Sequence, residues 1–260
     1  MGLEQTSHGE KVNQALPQSE AVAVRAPRDL PNGWRVYAIG DVHGRLDLLH
    51  QVICAIEDDL VRYPCRTHLR VFLGDYIDRG AESREVVDTL IELTRLRPTV
   101  CLAGNHELMA LKWLTAPQLQ GDWLHLGGLE TLHSYGVNPV RKAGRGAAPE
   151  EVATAFASAL GPHAEFLSAL PTTFAIGDYF FVHAGVRPHV PLCWQAVEDL
   201  VQIREPFLSF DGEFGRMVVH GHTPVAEPDI RPNRINLDTG AYLSSRLTCM
   251  VFEKETLRIL

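Results

Sequence analysis

The amino-acid sequence predicts an α/β fold in which a parallel sheet packs against a second sheet. Three observations carry that expectation. Strand-like apolar runs alternate with helix-period segments through the first half of the chain. Each of the first three runs ends in a glycine-flanked polar cluster, where open α/β sheets build their sites. After a helical stretch, short strands return with turn residues and little helix between them, the pattern of a second packed sheet.

Residues 1–32 alternate polar and small side chains and end in Pro27-Arg28-Asp29-Leu30-Pro31-Asn32-Gly33. That composition buries little apolar surface and predicts a flexible arm ahead of a single domain over 33–260. A strand over 34–40 leads into a helix over 45–60, where Leu46, Leu49, Ile53, Ile56 and Leu60 recur at three- and four-residue steps. The unit repeats as a strand over 69–73 and a helix over 83–96 carrying Val86, Val87, Leu90 and Leu93. A third strand over 99–103 precedes a helix over 107–114. From about 121 to 170 the chain reads as a mostly helical insertion with Gly127-Gly128 and a loose Ala143-Gly144-Arg145-Gly146-Ala147. Strands over 179–182, 216–219, 234–237 and 247–252 complete the second sheet.

With 260 residues, 45% of them hydrophobic and 22% charged, the chain can bury roughly 70 to 75% of its unfolded surface without disulfides. Cys54, Cys65, Cys101, Cys193 and Cys249 form no C-x-x-C pair, so they read as reduced thiols and not as a zinc knuckle. Twenty-four basic against 32 acidic residues leave a net charge of −8, which argues against a nucleic-acid partner. No apolar run reaches the length of about 18 residues that a membrane span needs, and the first residues lack a basic or apolar signal region. A cytoplasmic protein with no membrane partner is the expectation; its oligomeric state is open.

The chemistry lies in the clusters. Gly40-Asp41-Val42-His43-Gly44, Gly74-Asp75-Tyr76-Ile77-Asp78-Arg79-Gly80 and Gly104-Asn105-His106-Glu107 end the first three strands. If strand geometry persists through Asp41 and His43, both face one side and can hold one ion. Asp75 has two oxygens with which to bridge two ions, and Asn105 offers a neutral carbonyl oxygen. Later strands end in His183-Ala184-Gly185 and His220-Gly221-His222-Thr223-Pro224. A mixed oxygen and imidazole set suits divalent Mn, Fe or Zn. Taken singly each cluster could be only a turn, but five at strand ends point together to a binuclear metal site. The scattered His50, His68, His125, His133, His163 and His189 read as surface or hydrogen-bonded histidines.

The ordered set of these five clusters resembles the metallophosphoesterase superfamily, and Asp78-Arg79-Gly80 narrows it to the phosphoprotein phosphatase, or serine/threonine protein phosphatase, branch. With Ile235-Asn236-Leu237-Asp238-Thr239-Gly240-Ala241 the chain is similar to bacterial and phage members such as lambda protein phosphatase. The resemblance spans about 35–245 and implies a calcineurin-like, four-layer αββα sandwich of two mixed sheets. It implies that Asp41, His43 and Asp75 hold one metal, and that Asp75 bridges to a second held by Asn105, His183 and His222. His222 is chosen over His220 because the family's ligand is the histidine of Gly-His-Thr; His220 is expected just behind the ligands. Two divalent ions, Mn first with Fe or Zn as alternatives, are the implied cofactors. Where eukaryotic members carry Ser-Ala-Pro-Asn-Tyr and His-Gly-Gly, this chain has Asp238-Thr239-Gly240 and His183-Ala184-Gly185, which sets it apart from the surfaces that dock eukaryotic-type regulatory subunits.

A mechanism follows from charge. Two neighbouring divalent ions lower the pKa of a bridging water, which supplies a hydroxide in line with phosphorus and needs no covalent enzyme intermediate. If Asn105 is a ligand, its neighbour His106 is free to protonate the leaving oxygen, with Asp78 favouring its charged form. Arg79 can clamp phosphate oxygens with its planar fork. The family's second phosphate arginine is matched by Arg204 in Val201-Gln202-Ile203-Arg204-Glu205. The expected function is hydrolysis of phosphoserine and phosphothreonine, with phosphotyrosine and aryl phosphates also open. The alternatives are a nucleotide phosphoesterase of the symmetrical diadenosine tetraphosphatase type and a silent metal- or phosphate-binding module.

Overall fold

Alternate side chains of the segment Trp34–Ile39 belong to two different cores, and that alternation sets the layering. Val36 and Ala38 pack with Val71, Phe181, Val219 and Phe252 between two sheets, whereas Tyr37 and Ile39 pack with Ile56, Val87 and Trp113 beneath helices. The computed structural model behind these assignments describes residues 24–25, 29–118, 122–139 and 147–260.

The first sheet holds β1 (Val24–Arg25), β2 (Trp34–Ile39), β3 (Thr67–Phe72) and β4 (Thr99–Cys101). The second holds β5 (Thr173–Ile176), β6 (Tyr179–Val182), β7 (Met217–His220), β8 (Asp229–Ile230) and β9 (Arg234–Asn236). The chain then returns to the first through β10 (Cys249–Glu253) and β11 (Thr256–Ile259). The orders are β1-β11-β10-β2-β3-β4 and β5-β6-β7-β9-β8. β2, β3 and β4 run parallel, as do β6, β7 and β9, while the outer strands pair antiparallel, so both sheets are mixed.

Helices cover the outer face of the first sheet: α1 (Leu46–Arg62), α2 (Ser83–Leu96), α3 (Asn105–Thr115), α4 (Leu129–Ser134), α5 (Pro149–Leu160) and α6 (Pro162–Ser168). A π-helical turn over Leu124–Gly128 leads into α4. On the far face of the second sheet, Leu200 and Val201 of α7 (Val197–Gln202) pack with Phe180, Val182, Val218 and Phe207. A last short helix, α8 (Ala241–Ser244), follows β9. Phe181 sits wholly buried between the sheets, and truncation to alanine is expected to cost about 3 to 5 kcal/mol, read as a fall in Tm.

The expected strands and helices are present with shifted ends, but the strand expected over 247–252 in the second sheet is β10 of the first, paired antiparallel between β2 and β11. β2, β3 and β4 stop one to two residues before the predicted ends, because the chain curls into the polar clusters there. Four strands were not anticipated: β1, β5, β8 and β11, all edges or neighbours of edges with little apolar signal. Most of the expected arm over 1–32 lies outside the described residues. Within that span, Val24–Arg25 pairs with β11 and Leu30 is buried in the inter-sheet core. The loose glycine run 143–147 also lies outside the described residues except for Ala147. Among the described residues no helix is long and apolar enough to cross a membrane.

Candidate active site

The carboxyl ends of β2, β3, β4, β6 and β7 all open on one side, and the five clusters meet there. Backbone hydrogen bonds lace them together. His43 and Val42 donate their N–H groups to the Asp75 carbonyl at 2.8 and 3.1 Å, and Gly221 donates to the His183 carbonyl at 2.8 Å. His43, Asp75, Asp78, Arg79 and His222 all have positive φ, between 48 and 73°. A side chain in that region costs roughly 1 to 2 kcal/mol, so the fold strains five clustered polar residues at once. Strand geometry therefore does not carry through Asp41 to His43; a left-handed turn aims the imidazole instead.

Two histidines are fixed by backbone carbonyls. His43 Nδ1 lies 2.9 Å from the Ile77 carbonyl and His183 Nδ1 lies 2.8 Å from that of Leu73. A carbonyl partner holds the proton on Nδ1 and leaves the Nε2 lone pair free, as a metal ligand requires. Those Nε2 atoms stand 3.6 and 3.3 Å from the two Asp75 carboxylate oxygens. Asn105 Oδ1 lies 3.0 Å from His183 Nε2 and 2.9 Å from His222 Nδ1. Asp41 accepts the backbone N–H of His222 at 3.1 Å, which ties the first loop to the last. Two donor groups result, His43 with Asp75 and His106, and Asp75 with His183 and His222, each with its ligand atoms within 4.8 Å of one another.

Asn105 and His106 open helix α3 and do not end a strand, so the helical turn separates their side chains. His106 Nδ1 donates to Asp78 Oδ2 at 2.6 Å, and its Nε2 faces Arg79 Nη2 at 3.2 Å. The Arg79 guanidinium lies over the Tyr242 ring at 4.4 Å. Glu107 binds the loops from beneath, accepting from the N–H groups of Asp75, Tyr76 and Gly104 at 3.0, 2.7 and 2.9 Å. A Cβ on Gly104 would collide with the Asp75 carboxylate, so that approach requires glycine.

Charge is crowded here. Burial, and then the Asp238 and Asp75 carboxylates, push Asp41 well above the usual carboxylate range. Burial pulls His183 down, but Asp75 against it raises it to about 10, so a cation bound at its Nε2 would displace a proton. Burial drives His43 and His222 down to about 3, which keeps both rings neutral and able to bind a cation. Burial opposes a charged His106, and Asp75 and Asp78 overcome it, raising its pKa. The buried Asp41 and Asp75 carboxylates, the Asn105 carbonyl oxygen and the neutral imidazoles of His43 and His222, the latter with a buried Nε2 that has no hydrogen-bond partner, form a donor set that fits divalent cations.

The calcineurin-like phosphoesterase model matches residues 35–246, which take in all five clusters. The chain belongs to that family. It is 28% identical over 244 residues to the asymmetrical bis(5'-nucleosyl)-tetraphosphatase PrpE of Anoxybacillus flavithermus, spanning 85% of this chain and 92% of that one. It is 37% identical over 81 residues to serine/threonine-protein phosphatase 7 of Arabidopsis thaliana, spanning 30% of this chain and 18% of that one. A solved structure titled as a putative diadenosine tetraphosphatase superposes with a TM-score of 0.58 at 23% identity, covering 90% of this chain and 97% of the other.

In this metallophosphoesterase the fold brings Asp41, His43, Asp75, Asp78, Arg79, Asn105, His106, His183 and His222 into one buried centre. Arg204 stands exposed past α7, where its charge bears on His222. His220 is not in either donor group: its Nδ1 lies 3.1 Å from the Gly221 carbonyl, its ring packs edge-on against Phe207, and burial lowers it to about 3. Sequence reasoning gave no role to Glu107, Trp123, Thr131, Asp238 or Tyr242. Glu107 had a signal, since an acid three residues after an N-cap position is a helix-start pattern. Trp123 and Thr131 had none.

Proposed function

We propose that this metallophosphoesterase hydrolyses phosphoserine and phosphothreonine esters. The observation that carries the reading is the buried His106–Asp78 pair, 2.6 Å apart, with His106 beside His43 and Asp75. An alkoxide leaving from phosphorus is a strong base, and a positioned acid lowers its barrier far more than that of a weakly basic leaving group. Asp41, His43 and Asp75 would hold one divalent ion, and Asp75, Asn105, His183 and His222 a second, with Mn, Fe and Zn all suited to the donors. When bound, the pair supplies Lewis-acid charge and the activated water for direct attack. His106, charged by Asp75 and Asp78, gives its proton from Nε2 to the ester oxygen. Arg79, braced by Tyr242, and Arg204, whose charge reaches His222, clamp the phosphoryl oxygens. The net charge of −8 does not repel such a substrate, because the cleft gathers two arginines and the ions.

A second reading is hydrolysis of dinucleoside polyphosphates. It is favoured by relatives of that name that align along nearly their whole length, against a short match to the protein phosphatase. Comparing kcat/KM for the Mn²⁺-loaded protein on a phosphoserine peptide, p-nitrophenyl phosphate and diadenosine tetraphosphate tests the two. Preference for the peptide supports the first reading. Preference for the dinucleotide replaces it with the second, and the products, ATP with AMP or two ADP, tell asymmetrical from symmetrical cleavage.

A further inference from the structure

The carboxylate of Asp78 is held from two sides. Oδ2 accepts from His106 Nδ1 at 2.6 Å and from the Trp123 indole N–H at 2.8 Å. Oδ1 accepts from the Thr131 hydroxyl at 2.6 Å, and the same hydroxyl accepts the Asp78 backbone N–H at 2.9 Å. Asp78, Trp123 and Thr131 are almost fully buried, so no water competes for these bonds. Trp123 is held by its own neighbours: its ring lies 5.1 Å from that of Trp113 and stacks on Phe156 at 5.7 Å. The same segment also touches Arg79, whose N–H donates to the Gly127 carbonyl at 3.2 Å.

Each bond removes a way for the carboxylate to move. A carboxylate that rotates about χ2 swings its oxygens through the plane in which His106 Nδ1 finds its acceptor. With Oδ1 tied to Thr131 and Oδ2 shared with Trp123, one orientation remains, and it is the one that aims the His106 Nε2 edge at the phosphoryl cleft.

We propose that Trp123 and Thr131 are positioning residues that orient Asp78, and through it His106, for protonation of the leaving group. The proposal rests on the reading of His106 as the general acid. The effect of losing orientation should then depend on how much help the leaving group needs.

The test uses Thr131→Val, nearly the same shape without the hydroxyl, and Trp123→Phe, which keeps a ring in the stack without the N–H. In the Mn²⁺-loaded protein each variant should lower the ratio of kcat on a phosphoserine peptide to kcat on p-nitrophenyl phosphate by about tenfold, a part of the full worth of an acid. KM should hold, and Thr131→Ser should recover the ratio. In the metal-free, ¹⁵N-labelled protein, the His106 Nδ1–H resonance, held downfield by Asp78, should move upfield and exchange faster with solvent in both variants. An unchanged ratio, an equal loss on both esters, or an unmoved resonance overturns the proposal. If Trp123→Phe fails to fold, Thr131→Val decides alone. If the wild type hydrolyses neither ester, the functional reading fails, and the resonance by itself decides the positioning role.

Discussion

Two regions meet at Asp78 and serve the site differently. The strand-end loops carry the ligand-type residues at spacings a reader can recognise, and they hold them in strained turns: His43, Asp75, Asp78, Arg79 and His222 all sit at positive φ. The segment from Trp123 to Ser134 carries no motif and relaxed helical backbone at most positions, yet its Trp123, Gly127 and Thr131 touch Asp78 and Arg79. The contrast has a chemical reason. A metal ligand or an acid must be one of a few residue types, so its identity shows. An orienting group needs only a hydrogen at one place, which many side chains can supply.

The largest expected effect falls on the loops. Excess chelator should reduce hydrolysis to background, and Mn²⁺ should restore it; full activity in chelator would remove metals from the account of both regions. Asp78→Asn comes next, since it keeps the shape and loses the charge that supports His106. A fall in kcat of about two orders of magnitude is expected, and an unchanged kcat would dissolve the dyad at which the regions meet. Third is Gly127→Ala in the helical segment. Its φ of 117° is a region that alanine avoids, and a Cβ there would press on the Arg79 backbone and Cγ. The strain of about 1 to 3 kcal/mol should lower Tm, and displacement of Arg79 should raise KM; a variant like wild type in both would show that this segment does not position the clamp. The smallest effect is expected from exposed Arg204→Ala, a rise in KM with kcat nearly kept. No change would return Arg204 to the surface.

Much of the centre was legible because ligand chemistry is restrictive. Asp41, His43, Asp75, Asn105, His183 and His222 were named from five short clusters, and the structure gathers them. Their local geometry was not legible. Asp41 and His43 were expected to share a face by strand alternation, but backbone bonds from Val42 and His43 to the Asp75 carbonyl impose a turn. His106 was expected to follow a strand, and it opens a helix whose third residue, Glu107, accepts the loop N–H groups. The edge strands β1, β5 and β8, and β11 next to an edge, were missed because strands there bury few side chains and leave little alternation in the sequence.

The sequence by itself determined the inner strands and the ligand-type residues that gather at their ends, because alternation at period two and the residue types that bind hard cations are both written locally. Only the tertiary structure decided which oxygen each side chain faces. Trp123 lies 45 residues from Asp78 and Thr131 lies 53, and nothing in either stretch encodes the meeting. It arises because α4 and α5 pack over α2 and α3 to bury Phe156, Trp113 and Leu132, and the hydrogen bonds to Asp78 form where that packing puts them.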